Sequence, residues 1–266
     1  MGVEVLRRIA RYLRKTPLHP QWLLGNNNAT GRWVADVARG RILDIGCADR
    51  WIERRLPAGS DYIGLDYLIT GKHMYGAKPH LYADASQLPL TSSSVDTVVL
   101  LEVMEHLRRP REALEEVMRV LRPDGRLLLS MPFLYPVHDA PYDYQRLTIH
   151  GLIRDIEEVG LHVEELTPTL GSAETGGLIA CLAMGGMAEL ALQRRSLSCV
   201  LIPLFLLAIP VVNVFAWAGG RLLPSWSAIT AGYRVVASNC TCGEQNCGLL
   251  PDGIRPATSS SEVSIP

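Results

Sequence analysis

Two stretches of this 266-residue chain carry side chains whose types and spacing can do chemistry. The first is Arg41-Ile42-Leu43-Asp44-Ile45-Gly46-Cys47, an apolar run that ends in an acid and a glycine. It reads as a buried strand delivered into a tight, ligand-facing turn. Asp66 closes a second such run, Tyr62-Ile63-Gly64-Leu65-Asp66, 20 residues after Gly46. At that spacing an acid on a second strand reaches the ribose hydroxyls of a nucleoside. A dinucleotide turn wants glycine at two further positions, where this chain has Ala48 and Trp51, so a ligand with adenine and ribose but no phosphate fits better. The second stretch runs from Pro132 to Arg146 and packs His138, Asp139, Asp143 and Arg146 into nine residues. A histidine near its ordinary pKa can take a hydroxyl proton at neutral pH.

The elements that must position these groups follow from hydrophobic periodicity. Strands are expected near 41–45, 61–66, 79–83, 96–101, 125–131, 161–166 and 233–237; continuous apolar runs such as Val98-Val99-Leu100-Leu101 and Leu127-Leu128-Leu129 imply burial on both faces. Pro110 suits a first helical position, and Leu114, Val117, Met118 and Leu121 form one stripe before the turn at Pro123-Asp124-Gly125. A further helix is expected over 148–159, ended by Gly160. The fold class expected is α/β, a Rossmann-like doubly wound, mostly parallel sheet with a hydrophobic helical insertion before the last strand. The chain then divides into a basic amphipathic helix (1–20), a catalytic domain (21–170), the insertion (171–229), the last strand (230–238) and a disordered tail (239–266).

Composition narrows the function. An apolar fraction of 48% supports a sizeable core, and a net charge of −1 argues against a nucleic-acid partner. Arg7, Arg8, Arg11, Arg14 and Lys15 interleave with apolar residues at helical spacing, and no uninterrupted apolar core follows them, so a secretory signal is not expected. The six cysteines make no disulfide framework; Cys240, Cys242 and Cys247 cluster without a histidine nearby, and no metal is expected.

From Ser196 to Gly220 run 25 residues without a charge, about 37 Å as one helix and enough to cross a bilayer. The strands on either side belong to one sheet, so the chain must return, and the charge-free run from Thr175 to Ala188 is short for a second span. Pro203, Pro210 and Asn213 predict a broken helix that dips into one leaflet or lies in the interface, with Trp217 and Trp226 at headgroup level. A soluble helical cap or a dimer interface is the alternative. The location expected is cytoplasmic, at the inner face of a membrane; the oligomeric state is not read.

Taken together, Asp44-Ile45-Gly46-Cys47, Asp66, Tyr82-Ala83-Asp84-Ala85 with Leu88-Pro89, Val95-Asp96, Glu102-Val103-Met104-Glu105-His106 and Arg119-Val120-Leu121-Arg122-Pro123-Asp124-Gly125 resemble the class I S-adenosylmethionine-dependent methyltransferases. The likeness is strongest to the branch of the ubiquinone and menaquinone methyltransferases. It implies S-adenosylmethionine as cofactor. Asp44, Gly46 and Cys47 would then shape the loop around its methionine part, Asp66 would hold the ribose, Asp84 and Ala85 would flank the adenine, and Glu102 and Val103 would lie at the methionine end. Ala48 stands where the family usually has glycine.

The stretch from His138 to Arg146 resembles the H-D-x-P-x-D-Y-x-R motif of methyltransferases that accompany cell-envelope polysaccharide and lipid-linked glycan assembly. In this reading His138 is the first choice of base and His106 the second, and Asp139 or Asp143 orients the imidazole. Arg146 either holds an acidic group of the substrate or pairs with Asp143 to fix the loop. The function implied is O-methylation of a lipophilic or lipid-linked acceptor, a glycan or a quinone-like phenol. The alternatives are a membrane-anchored cofactor-binding protein without turnover and a nicotinamide-dependent oxidoreductase.

Overall fold

The computed structural model describes residues 12–25 and 28–239. Most of the basic N-terminal helix expected over 1–20, and the tail with Cys240, Cys242 and Cys247, lie outside the described residues.

The buried apolar runs form strands β1 (Arg41–Ile45), β2 (Asp61–Asp66), β3 (Leu81–Tyr82), β4 (Val95–Leu101), β5 (Leu121–Pro132), β6 (His162–Pro168) and β7 (Gly232–Ser238). They make one seven-stranded sheet of order β3-β2-β1-β4-β5-β7-β6. The first five strands are mutually parallel, and β7 runs antiparallel to both β5 and β6. Helix crossovers impose the parallel part, because a parallel pair cannot be joined by a tight hairpin.

Helices α2 (Pro110–Val120) and α3 (Ile149–Glu157) bury Leu114, Val117, Leu152 and Ile156 against one face of the sheet. On the other face α1 (Asn28–Val37) contributes Val34, which packs with Ile42, Ile52, Tyr62, Val99 and Leu128. Both faces are thus covered, which is why Val98, Val99, Leu127, Leu128 and Leu129 are all inaccessible to solvent.

Two boundaries differ from the sequence reading. β3 has only the two residues Leu81 and Tyr82, paired with Leu65 and Asp66, because it is an edge strand. β5 starts at Leu121, before the Pro123-Asp124-Gly125 turn, which is absorbed as an irregularity in the pairing with β4.

The segment between β6 and β7 is a helical hairpin, α4 (Ser172–Arg194) and α5 (Ile202–Leu222). The broken helix predicted from Pro203 and Pro210 is not found. Pro203 falls in the first turn, where its missing N–H costs nothing, and α5 continues through Pro210 to Leu222. The two helices meet on small residues. A Cβ on Gly177 would lie 2.3 Å from Cβ of Ala216, and Cys181 and Asn213 are buried in the same seam, with Sγ 3.4 Å from Oδ1. Asn213 also donates to the carbonyls of Pro17 (2.7 Å) and His19 (3.0 Å) and so ties α5 to the N-terminal segment. The outward side of α5 is bare. Leu204, Leu206, Leu207, Val211, Val214 and Phe215 are all exposed, Phe215 to 75%.

Candidate active site

The parallel register aligns Asp44 with Gly64 on β2 and Val99 on β4, so the carboxyl ends of β1, β2 and β4 open at one level where the strand order reverses. Open α/β sheets bind ligands at this switch point. A cleft of about 960 Å³ lies there, lined by Asp44, Gly46, Asp66, Asp84, Ala85, Glu102, Val103, His106, His138 and Asp139. Ten of the thirteen site residues expected from sequence are thereby brought together.

Gly46 has φ of 75°, and a Cβ there would stand 2.4 Å from Cγ2 of Val103, so only glycine lets the β1 turn approach the β4 end. Ala48, on the cleft wall, has φ of 47°, the conformation a glycine would hold more easily, and the cleft stays open beside its methyl. Its amide donates to Oδ2 of Asp66 at 2.8 Å, and the Tyr67 amide donates to Oδ1, also at 2.8 Å. Asp66 therefore braces the turn while lining the cleft, and burial raises its carboxyl above the usual range. Asp44 is buried and accepts the Tyr62 hydroxyl at 2.6 Å; burial pushes its carboxyl up to about 7, and the Tyr62 bond holds it from rising further. Asp84 accepts from the amide and hydroxyl of Ser86 at 2.9 and 2.8 Å, so it shapes its turn as well as the wall.

At the other end of the cleft Glu102 holds φ of 54°, an uncommon conformation for a residue with a side chain and one that concentrates at functional sites. Its side chain opens onto the cleft yet is walled by protein, so desolvation raises its carboxyl; Oε1 accepts the Ser130 hydroxyl at 2.6 Å. Beside it Glu105 is fully buried, with no hydrogen-bond partner on either carboxylate oxygen. Burial first, and the charge of Glu102 second, raise its carboxyl to about 8. Oε1 of Glu105 lies 3.7 Å from Nε2 of His106 and 3.8 Å from Nε2 of His138. Among the described residues, these three form the one group whose ligand atoms all fall within 4.8 Å, a feature the sequence reading did not expect.

Three expected residues take other places. Cys47 is buried beneath the turn, where its Sγ would lie 3.0 Å from a Cβ on Gly64, so it packs against β2 and does not line the cleft. Burial pushes its thiol up to about 12. Asp143 and Arg146 also stand outside the cleft lining, and the open choice for Arg146 falls to the internal pair. Both guanidinium nitrogens grip the Asp143 carboxylate, Nη1 on Oδ1 and Nη2 on Oδ2 at 2.7 Å. This pairing holds the Asp143 carboxyl down at about 2. Oδ2 of Asp143 also accepts the His138 amide at 2.9 Å and lies 3.2 Å from its Nδ1, so Asp143, held by Arg146, orients the imidazole.

Sequence reasoning missed Tyr62, Ser130 and Glu105. No spacing rule connects a strand residue to the acid it caps on the neighbouring strand, whereas the acid preceding His106 was visible in the Glu102–His106 stretch.

Residues 43–129 match the family model described as "Methyltransferase domain". The chain is 32% identical over 181 residues to a protein of Mycolicibacterium smegmatis named "Probable S-adenosylmethionine-dependent methyltransferase", covering 60% of this chain and 67% of that one. It is 32% identical over 109 residues to a demethylmenaquinone methyltransferase of Clavibacter sepedonicus (38% and 44% of the two chains). It is 32% identical over 111 residues to the 27-O-demethylrifamycin SV methyltransferase of Amycolatopsis mediterranei (37% and 41%). The match thus spans two thirds of the first relative and less than half of the other two. Asp44, Asp66 and Asp84 all face one cleft at the switch point, and the turn between β1 and the wall of that cleft lacks the glycines of a pyrophosphate site; with the mycolicibacterial match, they place this chain in the family of class I S-adenosylmethionine-dependent methyltransferases, whose cofactor is S-adenosylmethionine.

Proposed function

We propose that this protein transfers the methyl group of S-adenosylmethionine to a hydroxyl of a lipophilic or lipid-linked acceptor, a quinone-like phenol or a glycan, and does so at a membrane surface. The observation that carries the reading is the placement of one cleft holding Asp66 at one end and Glu102, His106 and His138 at the other, on a domain that also bears the bare hairpin α4–α5. Asp66 receives the ribose hydroxyls, Gly46 and Val103 seat the methionine part, and Asp84 and Ala85 border the adenine. Methyl transfer is an in-line displacement, so the chain's main task is alignment of the acceptor oxygen, the methyl carbon and the sulfur. The Nδ1 side of His138 faces Asp143, which leaves Nε2 to take the acceptor's proton. The oxygen then bonds to the methyl carbon as the carbon–sulfur bond breaks, with its electron pair returning to sulfur.

The 27-O-demethylrifamycin SV methyltransferase among its relatives lends weight to an oxygen as acceptor atom, and the demethylmenaquinone methyltransferase to a quinone-like acceptor. The hairpin lends weight to the membrane. Within Leu197–Leu222 an 18-residue window has a mean hydropathy of 2.6 and is only 11% buried, unlike the core helix of a soluble domain. By length and composition both α4 (23 residues) and the stretch Leu197–Leu222 are long and apolar enough to cross a membrane, where the sequence reading expected the first to be short, so the hairpin can enter a bilayer and return to the side it left. Incubation with methyl-labelled S-adenosylmethionine and fractionated cell lipids tests the proposal. Label in a lipid fraction supports it, and label confined to water-soluble products or proteins refutes the acceptor class.

A further inference from the structure

Glu105, His106 and His138 bring one ligand atom each to within 4.8 Å of one another. Nδ1 of His106 lies 2.8 Å from the carbonyl of Tyr142, a contact that requires the proton on Nδ1 and leaves Nε2 bare. Nδ1 of His138 lies 3.2 Å from Oδ2 of Asp143 and 3.3 Å from Nη2 of Arg146, so the Asp143–Arg146 pair holds that edge of the ring and turns Nε2 to the other side. Both Nε2 atoms then point at Oε1 of Glu105, at 3.7 and 3.8 Å. That carboxylate is inaccessible to solvent and has no hydrogen bond on either oxygen. Buried polar atoms are almost always satisfied, and a cation seated between Oε1 and the two Nε2 atoms would satisfy all three at once.

From this geometry we propose that Glu105, His106 and His138 bind a divalent first-row transition cation at the floor of the cleft. Tetrahedral ligands at about 2.1 Å from a metal stand about 3.4 Å apart, so the two separations from Glu105 need to close by only a few tenths of an ångström, and the two imidazoles lie within 4.8 Å of each other. The far nitrogens of both rings are already held. Metal-bound imidazoles donate their other N–H to a carbonyl or a carboxylate, which is what Tyr142 and Asp143 receive here. Two imidazoles and one carboxylate suit manganese, iron or zinc better than magnesium or calcium. Three protein ligands leave a position open toward the cleft, where an acceptor hydroxyl can coordinate.

The role of the cation rests on the methyltransferase reading, but its binding does not. In the loaded protein His138 is a ligand instead of the base. The coordinated hydroxyl loses its proton to solvent, and the resulting oxyanion attacks the methyl carbon as its bond to sulfur breaks.

The test is titration of the chelator-treated full chain with Mn²⁺, read by loss of the free-ion magnetic resonance signal. Mn²⁺ is chosen because the cysteines elsewhere in the chain favour softer ions. A single Mn²⁺ should bind per chain at micromolar concentration, and Glu105→Gln and His138→Asn should each weaken it by about tenfold or more. His138 sits on a loop, so its variant reports even where Glu105→Gln does not fold. Absence of bound Mn²⁺ at about 1 mM, or unchanged affinity in both variants, overturns the site. S-adenosylmethionine binding is measured on the same samples. Cofactor binding with no Mn²⁺ site removes this inference alone, whereas a Mn²⁺ site in a chain that does not bind the cofactor removes the methyltransferase function and keeps the site.

Discussion

Replacing Asp66 by alanine removes the group assigned to the ribose, and the structure sets the size of the effect. Its two oxygens each accept one backbone amide at 2.8 Å, from Ala48 and Tyr67, and each keeps a second lone pair on the cleft side. Two hydroxyls bound to a carboxylate contribute about 1.5–3 kcal/mol each, so their loss weakens the cofactor by roughly 10²- to 10⁴-fold. The same substitution leaves two backbone amides without an acceptor, at about 1–3 kcal/mol each in stability of the turn. Weaker binding alone therefore does not isolate the ribose contact. A chemical cycle does: S-adenosylhomocysteine and an analogue lacking both ribose hydroxyls are titrated calorimetrically into wild type and Asp66→Ala. Wild type should prefer the hydroxylated ligand by about 100-fold or more, and the variant by less than about threefold. A variant that still discriminates as wild type does would refute the assignment.

Gly46→Ala forces a methyl into Val103 at a backbone φ of 75°, and should cost about 2–5 kcal/mol of stability together with cofactor affinity, read by thermal melts with and without S-adenosylmethionine. Arg146→Met strips the charge from Asp143, whose side chain is only 2% exposed; turnover should fall at least about tenfold with cofactor affinity held within about threefold, and Arg146→Lys should not restore a two-pronged contact. Asp44 titrates at about 7 in the folded chain against 3.8 for a free aspartate, so the fold holds that proton more tightly than the unfolded chain does. The resulting stability is complete below pH 3.8 and is lost as pH rises through about 7; Asp44→Asn should flatten that part of the melting-temperature profile, and an unchanged slope would count against it. Leu207→Glu with Phe215→Glu places charge on the bare face of α5 and should abolish flotation with phospholipid vesicles while leaving cofactor affinity unchanged.

The sheet was readable because burial on both faces leaves an unmixed signal. Val98 to Leu101 and Leu127 to Leu129 contain no polar residue, and the apolar stripe at Leu114 and Val117 announces the helix between them. The convergence of Asp44, Gly46 and Asp66 on one cleft was readable too, since they derive their positions from strand ends. What escaped depends on side-chain direction and on partners far apart in sequence. Cys47 directly follows Gly46, yet the turn directs it under β2. Pro210 carries a strong local signal against helix, which packing of Gly177 on Ala216 and the bonds of Asn213 override. Whether Arg146 met a substrate or Asp143 was undecidable from order alone, because both partners are acids and only geometry separates them.

The bonds from Asn213 to the carbonyls of Pro17 and His19 have a mechanical side. Two residues further on, Gln21 donates to the Tyr135 hydroxyl at 2.6 Å, and the Tyr135 ring stands edge-on to His138 with centroids 5.5 Å apart. A tug on α5 is relayed through this short train of contacts to the imidazole. Were the hairpin to enter lipid as proposed, that lipid would also set the tension on the roof of the reaction chamber.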